Sequence, residues 1–126
     1  GALLHILGVD DVGNPVRAGR LIGKAAGGLP ERSPKILLCH RPYFFPQASE
    51  RNIALTLSGH THGGQVVFMK IGNSVLCPAR IASAYVAGLY TREGSSMYVN
   101  RGIGTVGIPL RVNCPPEITK IVLTKA

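Results

Sequence analysis

Two histidines two residues apart, within Leu57-Ser58-Gly59-His60-Thr61-His62-Gly63-Gly64-Gln65, are the residues of this sequence best suited to chemistry. Neutral imidazole binds Zn, Mn, Fe or Ni through a ring nitrogen. The stretch follows the apolar run Ile53 to Leu57, which is short enough to be a buried strand. If the backbone stays extended past that strand, residues i and i+2 share a face and both rings enter one small volume. The flanking glycines let the chain turn sharply and let a ligand approach, because no Cβ stands in the way. An isolated His-x-His pair reads best as a solvated polar turn. Its position after a buried strand, inside Gly-His-Thr-His-Gly-Gly, favours a metal site.

A third imidazole comes from an earlier segment. Lys35-Ile36-Leu37-Leu38-Cys39 is a continuous apolar run, the pattern of a strand covered on both faces, and it ends at His40-Arg41-Pro42. Ends of buried strands are where α/β folds place functional loops. Side-by-side parallel pairing of the two strands would bring His40, His60 and His62 to one edge of the sheet. Between them lie Tyr43, Phe44 and Phe45, expected to make core contacts, and a short helical stretch. The Asp10-Asp11 pair reads as a turn rather than as ligands, and His5 as a core or surface residue.

The remaining elements follow from capping and patterning. Ala2 to Val9 reads as a strand. Asn14-Pro15 starts a helix in which Ala18, Leu21, Ile22, Ala25 and Leu29 repeat on one face, and Gly27-Gly28 and Pro30 end it. After Gly64 the chain is β-rich. One hairpin is expected over Ile71-Gly72-Asn73 and another over Arg92-Glu93-Gly94-Ser95, with a final strand from Ile118 to Thr124.

The totals suit a single domain spanning residues 1–126, with 45% hydrophobic residues, 16 Gly and 9 Pro. A net charge of +8 favours anionic partners. The basic residues are scattered and do not alternate with aromatics, which argues against nucleic acid. Cys39, Cys77 and Cys114 are an odd set at wide spacing and read as reduced, buried thiols. No apolar run reaches the roughly 18 residues that span a bilayer. The chain opens on Gly1-Ala2-Leu3-Leu4, without Met and already inside an apolar run, as a piece of a longer parent would.

Together these signals resemble the calcineurin-like metallophosphoesterases, in particular their bacterial branch of small membrane-associated or exported phosphoesterases. The resemblance rests on Ile36-Leu37-Leu38-Cys39-His40-Arg41-Pro42 and on Leu57 to Gln65. Gly88-Leu89-Tyr90, Tyr98-Val99-Asn100-Arg101-Gly102-Ile103-Gly104 and Pro116-Glu117-Ile118 add to it. It implies an α/β (α+β) fold, the β-rich C-terminal half of a four-layer αββα sandwich, with a two-metal site at strand ends. It also implies that His40 and His60 serve one ion and His62 its neighbour. The metals would be divalent (Mn, Fe, Zn or Ni), two in the complete enzyme, acting on phosphate mono- or diesters.

The family's N-terminal motifs, Asp-x-His, Gly-Asp-x-x-Asp and Gly-Asn-His-Asp/Glu, are absent from the sequence. They carry the metal-bridging carboxylate and a catalytic histidine, so the chain is expected to hold no complete catalytic set, to bind zero or one ion and to be inactive alone. The parent's compartment stays open between cytoplasmic and membrane-associated or exported. Apolar surface left bare by the missing half is expected to drive homo-oligomerisation. Arg41, Arg101 and Arg111 are candidate phosphate contacts, weighed against ordinary surface roles. Two other readings compete. One is a basic module that binds phosphorylated lipid or nucleic acid without catalysis. The other is a structural zinc domain using Cys39 as fourth ligand.

Overall fold

A computed structural model describes residues 3–72 and 74–124. Seven strands and three α-helices run in the order β1 (His5–Gly8), α1 (Pro15–Ala26), β2 (Lys35–Leu38), α2 (Phe45–Ser49), β3 (Leu55–Ser58), β4 (Met69–Ile71), β5 (Ser74–Leu76), α3 (Ala79–Ala82), β6 (Gly88–Arg92) and β7 (Ser95–Val99). Five strands form one sheet in the order β1-β2-β3-β7-β6, and β4-β5 is a separate hairpin. The pairs β1-β2, β2-β3 and β3-β7 are parallel, while β6-β7 is an antiparallel hairpin turned by Glu93-Gly94. The fold is therefore mixed α/β around a mostly parallel sheet. None of the described helices is long and apolar enough to cross a membrane.

Helix α1 begins as its sequence dictates. The Asn14 side chain accepts the Arg17 N–H at 3.0 Å, Pro15 takes the first turn, and the helix stops at Gly27. Its buried Ala18 and Ile22 meet Leu7, Leu37, Cys39, Phe44, Ala48 and Ile53 in the main core. Phe45, Met97 and Val99 form a second cluster with Tyr85 and Tyr90. The expected core roles of Phe44 and Phe45 are thus found.

The register decides what the sheet covers. Leu7, Leu37, Thr56 and Met97 stand in one row across four strands, all buried on the helical side. The row beside it runs Gly8, Leu38, Leu57, Tyr98 and Leu89 on the opposite face, because strand side chains alternate. On that face Ile6 is 66% exposed, Leu38 48% and Leu89 58%. The expectation that β2 is covered on both faces holds at Ile36, which is buried on this second face, but not at Leu38: helices α1 and α2 cover the other side only.

Three further expectations differ. Among the described residues no strand forms over 118–124, which run as irregular chain with Ile118 and Val122 exposed. The first strand is shorter than Ala2 to Val9, and Ala2 lies outside the described residues, as does Asn73 of the first hairpin turn. His5, expected to be a satisfied core or surface residue, is half-buried, and its Nε2 finds no hydrogen-bond partner among the described residues.

Candidate metal centre

His40 stands two residues beyond the end of β2, and His60 two beyond the end of β3. The strands run parallel, so both residues emerge at the same sheet edge. The pairing continues past the strands: Cys39 N–H donates to Leu57 O at 3.0 Å and Gly59 N–H to His40 O at 3.1 Å. On the other side Asn100 N–H donates to Ser58 O at 2.8 Å, fixing the start of the Asn100-Arg101-Gly102 turn. His40, Gly59, His60, His62, Asn100, Arg101 and Gly102 line one cavity of about 200 Å³. The parallel strands thus bring the three sequence-selected histidines together, and His5 lies at the opposite end of its strand.

The path to that result is not the extended one. His60 has φ +69° and His62 φ +51°, both left-handed, with Thr61 helical between them. Left-handed backbone is costly for a residue with a Cβ and persists where surrounding contacts enforce it. Here the enforcement is visible. Thr61 N–H donates to Gly59 O, Thr61 Oγ1 to Val86 O at 2.5 Å, and Gly64 N–H to Thr61 O. The next residues, Gly63 and Gly64, have φ +65° and +84° and pack against Cys114 and Cys77 respectively. The glycines are needed for both reasons, conformation and closeness.

Within the cavity the His40 and His60 rings meet edge to face, with centroids 5.1 Å apart. Tyr43 approaches His60 the same way at 5.9 Å. Burial, followed by the nearby Arg41 and His40, lowers the His60 pKa and so favours the neutral, ligating form. His62 Nδ1 lies 3.4 Å from Gly104 O. The donors are of the right chemistry for a divalent transition metal. Even so, no group of three or more His, Cys, Asp or Glu side chains among the described residues is gathered closely enough to hold an ion. The residues present fit part of a metal site. Among the described residues no acidic side chain lines the cavity to offset the charge of a metal pair. Cys39 does not complete the set either, since it packs in the α1 core, where burial raises its pKa.

The three candidate arginines separate clearly. Arg41 gives Nε and Nη2 to the Asp11 carboxylate at 2.5 and 3.2 Å, and Nη1 to the Tyr43 hydroxyl at 2.6 Å. The Arg41 hydrogen bond holds the Asp11 carboxyl below the usual carboxylate range. Asp10-Asp11 was read as a turn; Asp11 in fact anchors Arg41 beside the histidines. Arg101 donates Nε to Glu117 at 2.5 Å, and among the described residues its two terminal nitrogens make no hydrogen bond. Burial alone would raise the Glu117 pKa, but hydrogen bonds from Thr119, Tyr98 and Arg101 bring it down to about 2. Arg111 donates to backbone carbonyls. Only Arg101 both lines the histidine cavity and keeps donors free.

Two contributors were invisible to sequence reasoning. Gln65 donates Nε2 to Val106 O and Ile108 O and accepts the Val106 N–H, binding the 101–115 segment to the histidine turn. Glu117 orients Arg101. Both lie in motifs with a recognisable pattern, but no spacing rule assigns them these partners.

The chain is 36% identical to the uncharacterized metallophosphoesterase YkuE of Bacillus subtilis over 125 residues, which is 98% of this chain and 41% of that protein. A transmembrane protein with metallophosphoesterase domain from Danio rerio is 39% identical over 108 residues, 83% of this chain and 23% of that protein. Phosphodiesterase YaeI of Escherichia coli is 36% identical over 90 residues, 71% of this chain and 32% of that protein. The chain therefore spans less than half the length of the relatives it matches. No protein-family profile matches the sequence, and no solved structure matches it.

Proposed function

We propose that this chain, which is related to the metallophosphoesterases, is the part of a metal-dependent phosphoesterase that supplies histidine ligands to its metal centre. The observation that carries the reading is the single cavity shared by His40, His60 and His62 at the edge of parallel strands β2 and β3. His40 and His60 are assigned to one divalent ion and His62 to a second. A bound metal pair would polarise the phosphate ester and supply hydroxide near neutral pH. Arg101, which lines that cavity and whose terminal nitrogens make no hydrogen bond among the described residues, is assigned to the phosphate of a mono- or diester substrate. Arg41 is assigned to holding Asp11 and Tyr43 in place. With Arg41 held by Asp11 and Tyr43, and Arg111 by backbone carbonyls, a metal-free anion-binding module loses two of its three candidate cations.

The carboxylates for a metal pair are assigned to further sequence of the kind the longer relatives carry, and residues 1–126 alone are inactive in this reading. The assay is hydrolysis of bis(4-nitrophenyl) phosphate with Mn²⁺. The chain alone gives no turnover above background. Joined to the complementary portion of YkuE, it gives turnover that EDTA abolishes. Ordinary enzymatic turnover by residues 1–126 alone would overturn the assignment.

The same reading accounts for the bare sheet face. In a four-layer αββα sandwich a second sheet would cover Ile6, Leu38 and Leu89. Left uncovered, this face is assigned to association between copies of the chain. Sedimentation of the isolated chain should show dimers or larger species, and Leu38→Glu with Leu89→Glu should shift them to monomer. A monomeric wild-type chain at tens of micromolar would refute the association.

A further inference from the structure

Arg111 lies 49 residues from His62 in sequence, yet its guanidinium spans the two turns that flank the histidine cavity. Nη1 donates to His62 O at 3.2 Å and to Cys114 O at 3.3 Å. Nη2 donates to Arg101 O at 2.8 Å and Gly102 O at 3.1 Å, and Nε to Gly104 O at 3.0 Å. The planar fork of arginine, with five N–H donors in fixed directions, suits five carbonyls converging from two loops. A guanidinium committed in this way to backbone carbonyls is not a phosphate contact.

One of these acceptors has a second role. Gly104 O, held by Arg111, lies 3.4 Å from His62 Nδ1. A carbonyl oxygen only accepts, so the proton of neutral His62 must sit on Nδ1 for this bond to form. The lone pair is then left on Nε2. Which ring nitrogen is free to ligate is set by the hydrogen bond the other one makes. His62 is also held in left-handed backbone at φ +51°, a conformation that needs outside support. Arg111 supplies part of it through His62 O.

We infer that Arg111 is a positioning residue: by clamping Gly104 O and His62 O together it fixes the orientation and tautomer of His62, leaving Nε2 as its ligating atom. The tautomer is a property of the chain alone. Its use in metal binding rests on the phosphoesterase reading above.

The test is ¹⁵N NMR of the histidine rings in the metal-free chain, at a pH where they are neutral. In the wild type His62 should carry its proton on Nδ1. In Arg111→Ala the Nε2–H form, which predominates for a solvated histidine side chain, should become the major one, with His5 and His40 unchanged. Arg111→Lys, which keeps one charge but lacks the fork, should fall between. Mn²⁺ affinity at His62 should weaken roughly 10- to 100-fold in Arg111→Ala, the usual consequence of losing a partner that orients a ligand. A wild-type His62 protonated on Nε2 would overturn the inference, and this needs no variant to fold. So would a folded Arg111→Ala chain that keeps the Nδ1–H form. An Nδ1–H His62 lost in the variant, with no Mn²⁺ bound even by the chain joined to the complementary portion of YkuE, would sustain the Arg111 assignment while removing the metal reading.

Discussion

Gly64→Ala is expected to destabilise the chain by about 2–5 kcal/mol, from left-handed backbone and overpacking together. A Cβ at Gly64, where φ is +84°, would stand 2.5 Å from Cys77 Sγ and 2.9 Å from its Cβ. Cys77 is buried in a cluster with Val67, Val86 and Cys114, so it has nowhere to move. Gly28→Ala is the control. It shares a positive φ, +76°, but nothing lies within 4 Å of its added methyl, so only the backbone cost of about 1 kcal/mol applies. Urea denaturation of the two variants separates the terms. Adding Cys77→Ala to Gly64→Ala should recover part of the loss, because the two changes share one contact. Equal effects of Gly64→Ala and Gly28→Ala would show that the glycine turn is not packed against the cysteine cluster, and the histidine turn would lose its rigid support.

His60→Ala is expected to weaken divalent-cation binding by at least about 100-fold, exceeding what loss of an orienting partner costs. His60 is central among the rings: it touches His40 and Tyr43 edge to face, and burial favours its neutral form. In the joined enzyme the same change should lower hydrolysis of the diester by a comparable factor or more. His62→Ala should act similarly. His5→Ala should leave binding unchanged, since His5 sits at the start of β1, away from the cavity-lining edge. A His60→Ala chain that binds Mn²⁺ as well as the wild type would place the ion elsewhere.

Much of the framework was legible because local rules governed it. The Asn14-Pro15 cap and the spacing of Ala18 and Ile22 specify α1, and its buried face is the expected one. The apolar runs before His40 and His60 specified strands, and the adjacent parallel pairing that the sequence leaves conditional is what the structure adds to bring the rings to one edge. The rest depended on partners that no local pattern encodes. Leu38 looks like a doubly buried strand residue, yet its cover on the second face is not supplied by α1, α2 or the β4-β5 hairpin. Residues 118–124 carry strand-forming side chains, but a strand needs a paired neighbour, and they pair with no strand among the described residues.

The site itself divides in the same way. His60 and His62 reach one cavity through left-handed turns rather than an extended segment, because hydrogen bonds from Thr61 and packing at Gly63 and Gly64 bend the chain there. Sequence placed Arg41, Arg101 and Arg111 on equal terms. Asp11, 30 residues from Arg41, and Glu117, 16 from Arg101, gave two of them structural partners, and five carbonyls took the third.

The most direct test is paramagnetic broadening of this chain's four histidine ring signals, in the chain joined to the complementary portion of YkuE, as Mn²⁺ is added. Selective broadening of His40, His60 and His62 at substoichiometric Mn²⁺, with His5 left sharp, is the expected result. Equal broadening of all four, or none at any of the three, would contradict a metal centre on these histidines.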